Sequence, residues 1–284
     1  MNGVAVVALH ALRESLRRRV FVVVVILTLG FGALYTWGAS ELFDDVSGFG
    51  GNEFGLDART LAGATLLGLA MFGTLFLGAV LAVFLTLSAV RGDAETGLLQ
   101  PLIVRPLGRN QYLAGRFLAA ATVAFTYVGL VYAGAVVVTG ITGDWWPAHP
   151  VGAGLRLALA MVVVAGLALL GSIFLTATAN GIGVLMVFGA GLLAGLLGSI
   201  GDALRSNTLQ DIANTSAWVL PFEALYRDAL RLLVEDIPGV TGQIVQLGPL
   251  GGSHDAGPLL LPWIVVYLAL VGMAGAAAFG RRDL

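Results

Sequence analysis

Cysteine and lysine are both missing from this sequence of 284 residues. Without cysteine there is no disulfide framework, no thiolate nucleophile and no cysteine metal cage. All 15 basic residues are arginine, a usage that reads as base composition of the gene rather than chemistry. Charge of either sign is scarce: 11% of residues are charged and 58% are hydrophobic, against roughly 25% and 45–50% in soluble domains. No water-soluble core absorbs that much apolar surface. The formal net charge of −2 offers nothing to a nucleic acid, and its distribution along the chain says more than its sum.

Catalytic signatures are missing as well. There is no His-Glu-x-x-His, no Gly-x-Ser-x-Gly and no phosphate-cradling Gly-x-x-x-x-Gly-Lys-Ser/Thr. The nearest approach, Leu197-Gly198-Ser199-Ile200-Gly201, lacks the first glycine. His10, His149 and His254 are far apart and fall on two sides of the topology derived below, so they do not converge on one metal. The sequence therefore offers no catalytic, cofactor-binding or metal-binding set.

What is present is apolar length. A hydrocarbon core ~30 Å thick needs about 20 mostly apolar residues per helix, and six stretches qualify: 20–38, 61–90, 117–141, 157–179, 181–201 and 259–279. None contains Asp, Glu, Arg or His. The first follows Arg17, Arg18 and Arg19 as a secretion signal would, but it is longer than a signal core and five more follow, which favours a retained helix. The expected fold is all-α: six membrane-spanning helices in a single transmembrane domain over 1–284, with no internal repeat.

Orientation follows from arginine, which is enriched in short cytoplasmic segments. Arg13, Arg17, Arg18 and Arg19 precede the first span, Arg91, Arg105, Arg109 and Arg116 lie between the second and third, and Arg281 and Arg282 follow the last. With six alternating spans all three segments share one side. The opposite side takes the 39–60 loop, with Glu41, Asp44, Asp45, Glu53 and Asp57 against Arg59, and the 202–258 loop. Both termini are expected in the cytoplasm of a prokaryote, with the chain in its plasma membrane.

Two extramembrane segments have helical periodicity. Residues 1–19 set His10, Arg13, Glu14 and Arg17 on one stripe and Ala5, Leu9, Leu12 and Leu16 on another, an elbow helix lying in the interface before the chain turns to cross it. In the outer loop, Pro221 opens a run in which Phe222, Leu225, Tyr226, Ala229, Leu230 and Leu233 share one face. Glu223, Arg227, Asp228 and Arg231 occupy the other, and Pro238 and Gly239 end the run. This extracytoplasmic amphipathic helix either lies on the outer membrane surface or over the bundle, or acts as an external gate or substrate-contacting lid. Between the fourth and fifth spans, Asn180-Gly181 predicts a tight hairpin turn. The glycines of the second and fifth spans favour close helix packing. Within the spans no group titrates, so no built-in proton or ion coupling is expected. Polar residues available to line a path are Thr28, Thr74, Thr126, Tyr127, Tyr132 and Ser172.

The loop between the second and third spans reads Arg91-Gly-Asp-Ala-Glu-Thr-Gly-Leu-Leu-Gln-Pro-Leu-Ile-Val-Arg-Pro-Leu-Gly-Arg-Asn-Gln-Tyr-Leu-Ala-Gly-Arg116. It resembles the permease subunits of type-2 ATP-binding cassette transporters. In these, an acidic pair precedes a glycine and a hydrophobic doublet, then a basic-Pro step, a Ser/Thr-Arg pair and a Gly-Lys entering the third helix. Asp93, Glu95, Gly97, Leu98, Leu99, Pro106, Arg109, Gly115 and Arg116 fall on that pattern. Leu98 for Thr, Gly108 for Ser or Thr, and Arg116 for Lys depart from it.

The resemblance extends to Glu14-Ser15-Leu16-Arg17-Arg18-Arg19 and to the six-helix order, and a branch similar to the permeases of nitrous-oxide reductase maturation is among those it admits. It implies that Arg91, Asp93, Glu95, Thr96, Gly97, Leu98 and Leu99, with Arg105, Pro106 and Arg109, couple the bundle to a separate ATPase, and that Arg13, Glu14, Arg17, Arg18 and Arg19 form the elbow. It further implies export, pairing with a second copy or a related permease, and two ATPase subunits that hold the ATP and Mg, leaving this chain without a cofactor of its own. A channel or carrier that does not use ATP, and a membrane scaffold, stay open as alternatives.

Overall fold

The computed structural model describes residues 3–17, 19–48, 57–87, 108–235, 237 and 257–281, and every regular element among them is a helix. In chain order these are α1 (Gly3–Arg17), α2 (Arg19–Gly48), α3 (Ala58–Thr86), α4 (Arg109–Gly143), α5 (Pro150–Phe174), α6 (Ala177–Leu204), α7 (Asn207–Val219), α8 (Pro221–Val234) and α9 (Leu260–Gly280). Six are long and apolar enough to cross a membrane: α2, α3, α4, α5, α6 and α9. An even number of crossings puts both ends of the described chain on one side, here the termini side, and the 144–149 connection on the far side.

Local sequence accounts for the boundaries. Asp57 caps α3 by accepting from the backbone N–H groups of Arg59 and Thr60. Pro150 opens α5 at the position where its missing N–H costs nothing. Asp144 ends α4 in the left-handed region (φ 48°).

Within the bundle α5 is central, packing against α3, α4, α6, α8 and α9. With α3 it is the most buried span, whereas α2 and α9 lie at the periphery and turn side chains such as Ile26, Leu29 and Val265 outward. The main core joins Leu67, Met71 and Leu75 of α3, Ala124 and Val128 of α4, Leu157 and Met161 of α5, and Phe222 and Leu225 of α8.

Five boundaries differ from the expectation. The first span continues past residue 38 to Gly48, so Glu41, Asp44 and Asp45 sit on a helix rather than a loop. No breaker intervenes, and Phe43 is buried with Ala39 and Ala62. The third and fourth spans begin early, at Arg109 and Pro150, because the arginines they take in, Arg116 and Arg156, are paired with carboxylates of other helices. The hairpin between α5 and α6 turns at Leu175 and Thr176, so Asn180-Gly181 is not the turn. Asn180 lies in the first turns of α6, fully buried, and donates from Nδ2 to the carbonyl of Ala168 at 2.9 Å. Finally, α8 stops at Val234, short of Pro238.

Candidate functional site

The far-side segment after α6 does not lie on the membrane surface. Arg205, in the left-handed region (φ 52°), turns the chain at the end of α6. α7 then runs back down α6, setting Leu209 and Gln210 against Gly201 and Ala213 against Gly198. After Leu220, α8 climbs again: Phe222 meets Gly191, Glu223 meets Gly195 and Arg227 meets Gly198. Phe222 stacks on Phe188 at 5.5 Å, and Tyr226 lies 6.5 Å from Phe72. Gly191 and Phe72 are both half-way along their helices, so the lower end of α8 reaches the level of the bundle's middle. The two helices form a re-entrant hairpin.

A helix that stops inside an apolar medium leaves its last carbonyls without partners. Here α9 supplies donors. Trp263 donates its indole N–H to the carbonyl of Trp218 at 3.1 Å, and Tyr267 donates its hydroxyl to the carbonyl of Val219 at 2.9 Å. The rings of Trp218 and Trp263 meet edge to face at 5.4 Å.

The expected polar stripe of α8 is present but covered. Glu223, Arg227 and Asp228 are 2%, 7% and 4% exposed, which corrects the expectation that nothing inside the bundle titrates. An amphipathic helix reveals that it has two faces, not what packs on the polar one. Asp228 is held by Arg156 of α5 and by Arg231 Nε at 3.0 Å, and Arg231 continues to Glu235 at 2.9 Å. Glu223 is less well served. Its Oε1 lies 3.7 Å from Arg227 Nε, and neither carboxylate oxygen accepts a hydrogen bond. Burial pushes its carboxyl up to about 7, outweighing the opposing pull of Arg227.

A second polar cluster lies on the termini side. Arg109, at the start of α4, donates from Nη1 to the carbonyls of Phe279 and Gly280 at 3.3 Å each, closing the end of α9. About two turns later Arg116, 9% exposed, donates from Nη1 to Glu14 Oε2 of α1 at 3.0 Å and from Nε to the Tyr112 hydroxyl at 3.1 Å. α1 packs along α4 far more extensively than on α2, its neighbour in sequence. The head of α4 therefore ties α1 and α9 together.

A family model described as ABC-2 family transporter protein matches residues 5–284. The chain belongs to that family. No curated protein matches it. It is accordingly the multi-pass membrane permease of an ABC transporter.

Of the coupling residues expected in this ABC-2 permease, Arg109 is placed at the α4–α9 junction. Arg91, Asp93, Glu95, Thr96, Gly97, Leu98, Leu99, Arg105 and Pro106 lie outside the described residues. Of the elbow set, Glu14 pairs with Arg116, Arg13 is exposed, Arg17 closes α1, Arg19 opens α2, and Arg18 lies outside the described residues. The polar residues expected along a path scatter. Thr28 and Tyr127 bond to each other between α2 and α4, and Ser172 bonds within its own helix to Leu169. Thr126 faces outward, whereas the hydroxyls of Thr74 and Tyr132 are buried without a hydrogen-bond partner. Sequence reasoning missed Arg156, Trp263 and Tyr267. For Arg156 the signal was an arginine bordering a run assigned to the bilayer, a position that calls for a partner.

Proposed function

We propose that the permease is the membrane half of an ATP-driven exporter, working as a homodimer or with a related permease and docking two ATPase subunits on its 91–116 segment. ATP and Mg are held by those subunits, since this chain contains no phosphate-cradling loop. The termini side is the cytoplasmic side of a prokaryotic plasma membrane, consistent with the arginine distribution.

The observation that carries the reading is the anchorage at the head of α4. A push on the preceding segment enters α4 at Arg109 and is shared with α9 through the Phe279 and Gly280 carbonyls and with α1 through Arg116 and Glu14. On the far side the α7–α8 hairpin serves as the external gate, because it fills the bundle to its middle yet is joined to it by charged pairs that can exchange partners.

Co-purification with an ATPase subunit tests the proposal. The isolated chain should neither bind nor hydrolyse ATP, and the complex should hydrolyse it faster with substrate present. Reporter fusions after residue 284 and at residue 240 should report opposite sides, and a cytoplasmic residue 240 would overturn the six-span arrangement. One observation favours a second reading, a proton-driven carrier: the buried carboxylate of Glu223. Uphill transport in vesicles lacking both ATP and an ATPase subunit would decide for it.

A further inference from the structure

Glu223 is the one buried carboxylate among the described residues whose two oxygens both lack a hydrogen bond. It sits in the first turn of α8, at the lower end of the re-entrant hairpin, against the backbone of α6 at Gly195. A side chain at position 195 would overlap Glu223 Oε1, so the glycine makes the seat and the carboxyl fills it. Taking an ionised carboxylate into such a place costs several kcal/mol unless it is paired and hydrogen-bonded, and otherwise the group takes up a proton instead.

The surroundings offer little to hold the charge. On α8 itself Arg227 stands 3.7 Å away, beyond hydrogen-bond distance. α3 carries no ionisable residue beyond Arg59 at its far-side end, and α6 none before Asp202. α5 contributes Arg156, which is engaged with Asp228. α7 contributes Asp211, which is exposed, and α9 contributes Tyr267, which is bonded to Val219.

We propose that Glu223 is a proton-binding site whose occupancy governs the seating of the α7–α8 hairpin on α6: protonated, the hairpin is seated, and deprotonated, it is released. The inference rests on the gate reading only for its consequence in transport. The direction follows from linkage. A carboxyl raised from its ordinary 4.5 to about 7 when seated gives the seated state an advantage that is complete below the ordinary value and is lost as pH rises toward about 7. Above that, ionisation in the seat costs more than ionisation in water, and the hairpin lifts more often.

The absence of native cysteine makes the test clean. Ala213 is 5% exposed and packs on Gly198, inside the seat. The full chain carrying Ala213→Cys, in lipid nanodiscs, would be labelled with a membrane-impermeant maleimide at pH values from about 5 to about 8. The same thiol in a Glu223→Gln background cancels the titration of the thiol itself. We expect the labelling rate, relative to that background, to rise roughly tenfold or more across the range, since a raised carboxyl weights the two protonation states by orders of magnitude. Infrared difference spectra of the unlabelled chain should show a protonated carboxyl that titrates near neutrality. The signal should vanish in Glu223→Gln and move to higher pH in Arg227→Gln, which keeps the carboxyl and removes its one opposing charge. A relative labelling rate flat in pH, or a carboxyl signal that survives in Glu223→Gln, overturns the proposal. Neither readout uses an ATPase or a substrate, so loss of the transporter reading and loss of this one are separable.

Discussion

Trp263 of α9 donates its indole N–H to the backbone carbonyl of Trp218 at the end of α7, 45 residues earlier in the chain and 3.1 Å away. With Tyr267 on Val219, it satisfies backbone that would otherwise end in an apolar medium. Replacing Tyr267 with Phe keeps the ring and removes the donor, and replacing Trp263 with Phe removes the donor while leaving a smaller aromatic ring. Each change should loosen the hairpin by ~1–3 kcal/mol, the cost of an orphaned carbonyl. Hydrogen exchange should then rise over residues 207–234 and not over 150–174; equal changes in both would show that the bonds do not hold the hairpin specifically.

Arg156 and Asp228 link the hairpin to the core by a charged pair. Arg156→Ala should destabilise the chain by about 3 kcal/mol, the low end of the ~3–5 kcal/mol for breaking a buried pair on one side, because Arg231 still serves Asp228. Arg156→Leu combined with Asp228→Leu should recover much of that loss. Thermal unfolding of the singles and the double measures the coupling, and strict additivity would contradict the pairing.

Gly195 and Gly189 lie on the same helix and differ in what a side chain would meet. At 195 it would meet the Glu223 carboxyl, and at 189 it would meet nothing within 4 Å. Gly195→Val should cost ~1–3 kcal/mol by overpacking and unseat the hairpin. Gly189→Ala should be neutral or slightly stabilising, since alanine is the better helix former. Comparable thermal stability of the two variants would argue against the seat.

For the coupling segment, Glu95→Arg and Gly97→Val should leave insertion and expression intact while uncoupling the ATPase or losing it. A desolvated charge pair broken on one side costs ~2–5 kcal/mol at an interface, and valine forbids backbone angles open to glycine. Normal assembly and normal substrate-stimulated hydrolysis in both variants would reduce the loop to a topology signal.

The six crossings, the common side of the two ends and the amphipathic nature of residues 221–234 were legible in the sequence, because apolar length, arginine placement and helical period are local quantities. Their limits were not. Arg116 and Arg156 read as residues that must end a span, yet both lie in spanning helices, because their partners Glu14 and Asp228 stand 102 and 72 residues away in the chain. Asn180-Gly181 reads as a turn, but the chain turns earlier and Asn180 is spent on the Ala168 carbonyl. The two faces of α8 follow from residue spacing; that α5 and α6 cover the charged one follows from packing. A pattern along one helix fixes which residues share a face, whereas the cost of a buried charge depends on which other helix brings a countercharge, a glycine seat or neither. Those encounters between residues far apart in the chain, at Glu14, Gly195 and Asp228, were decided only by the tertiary structure.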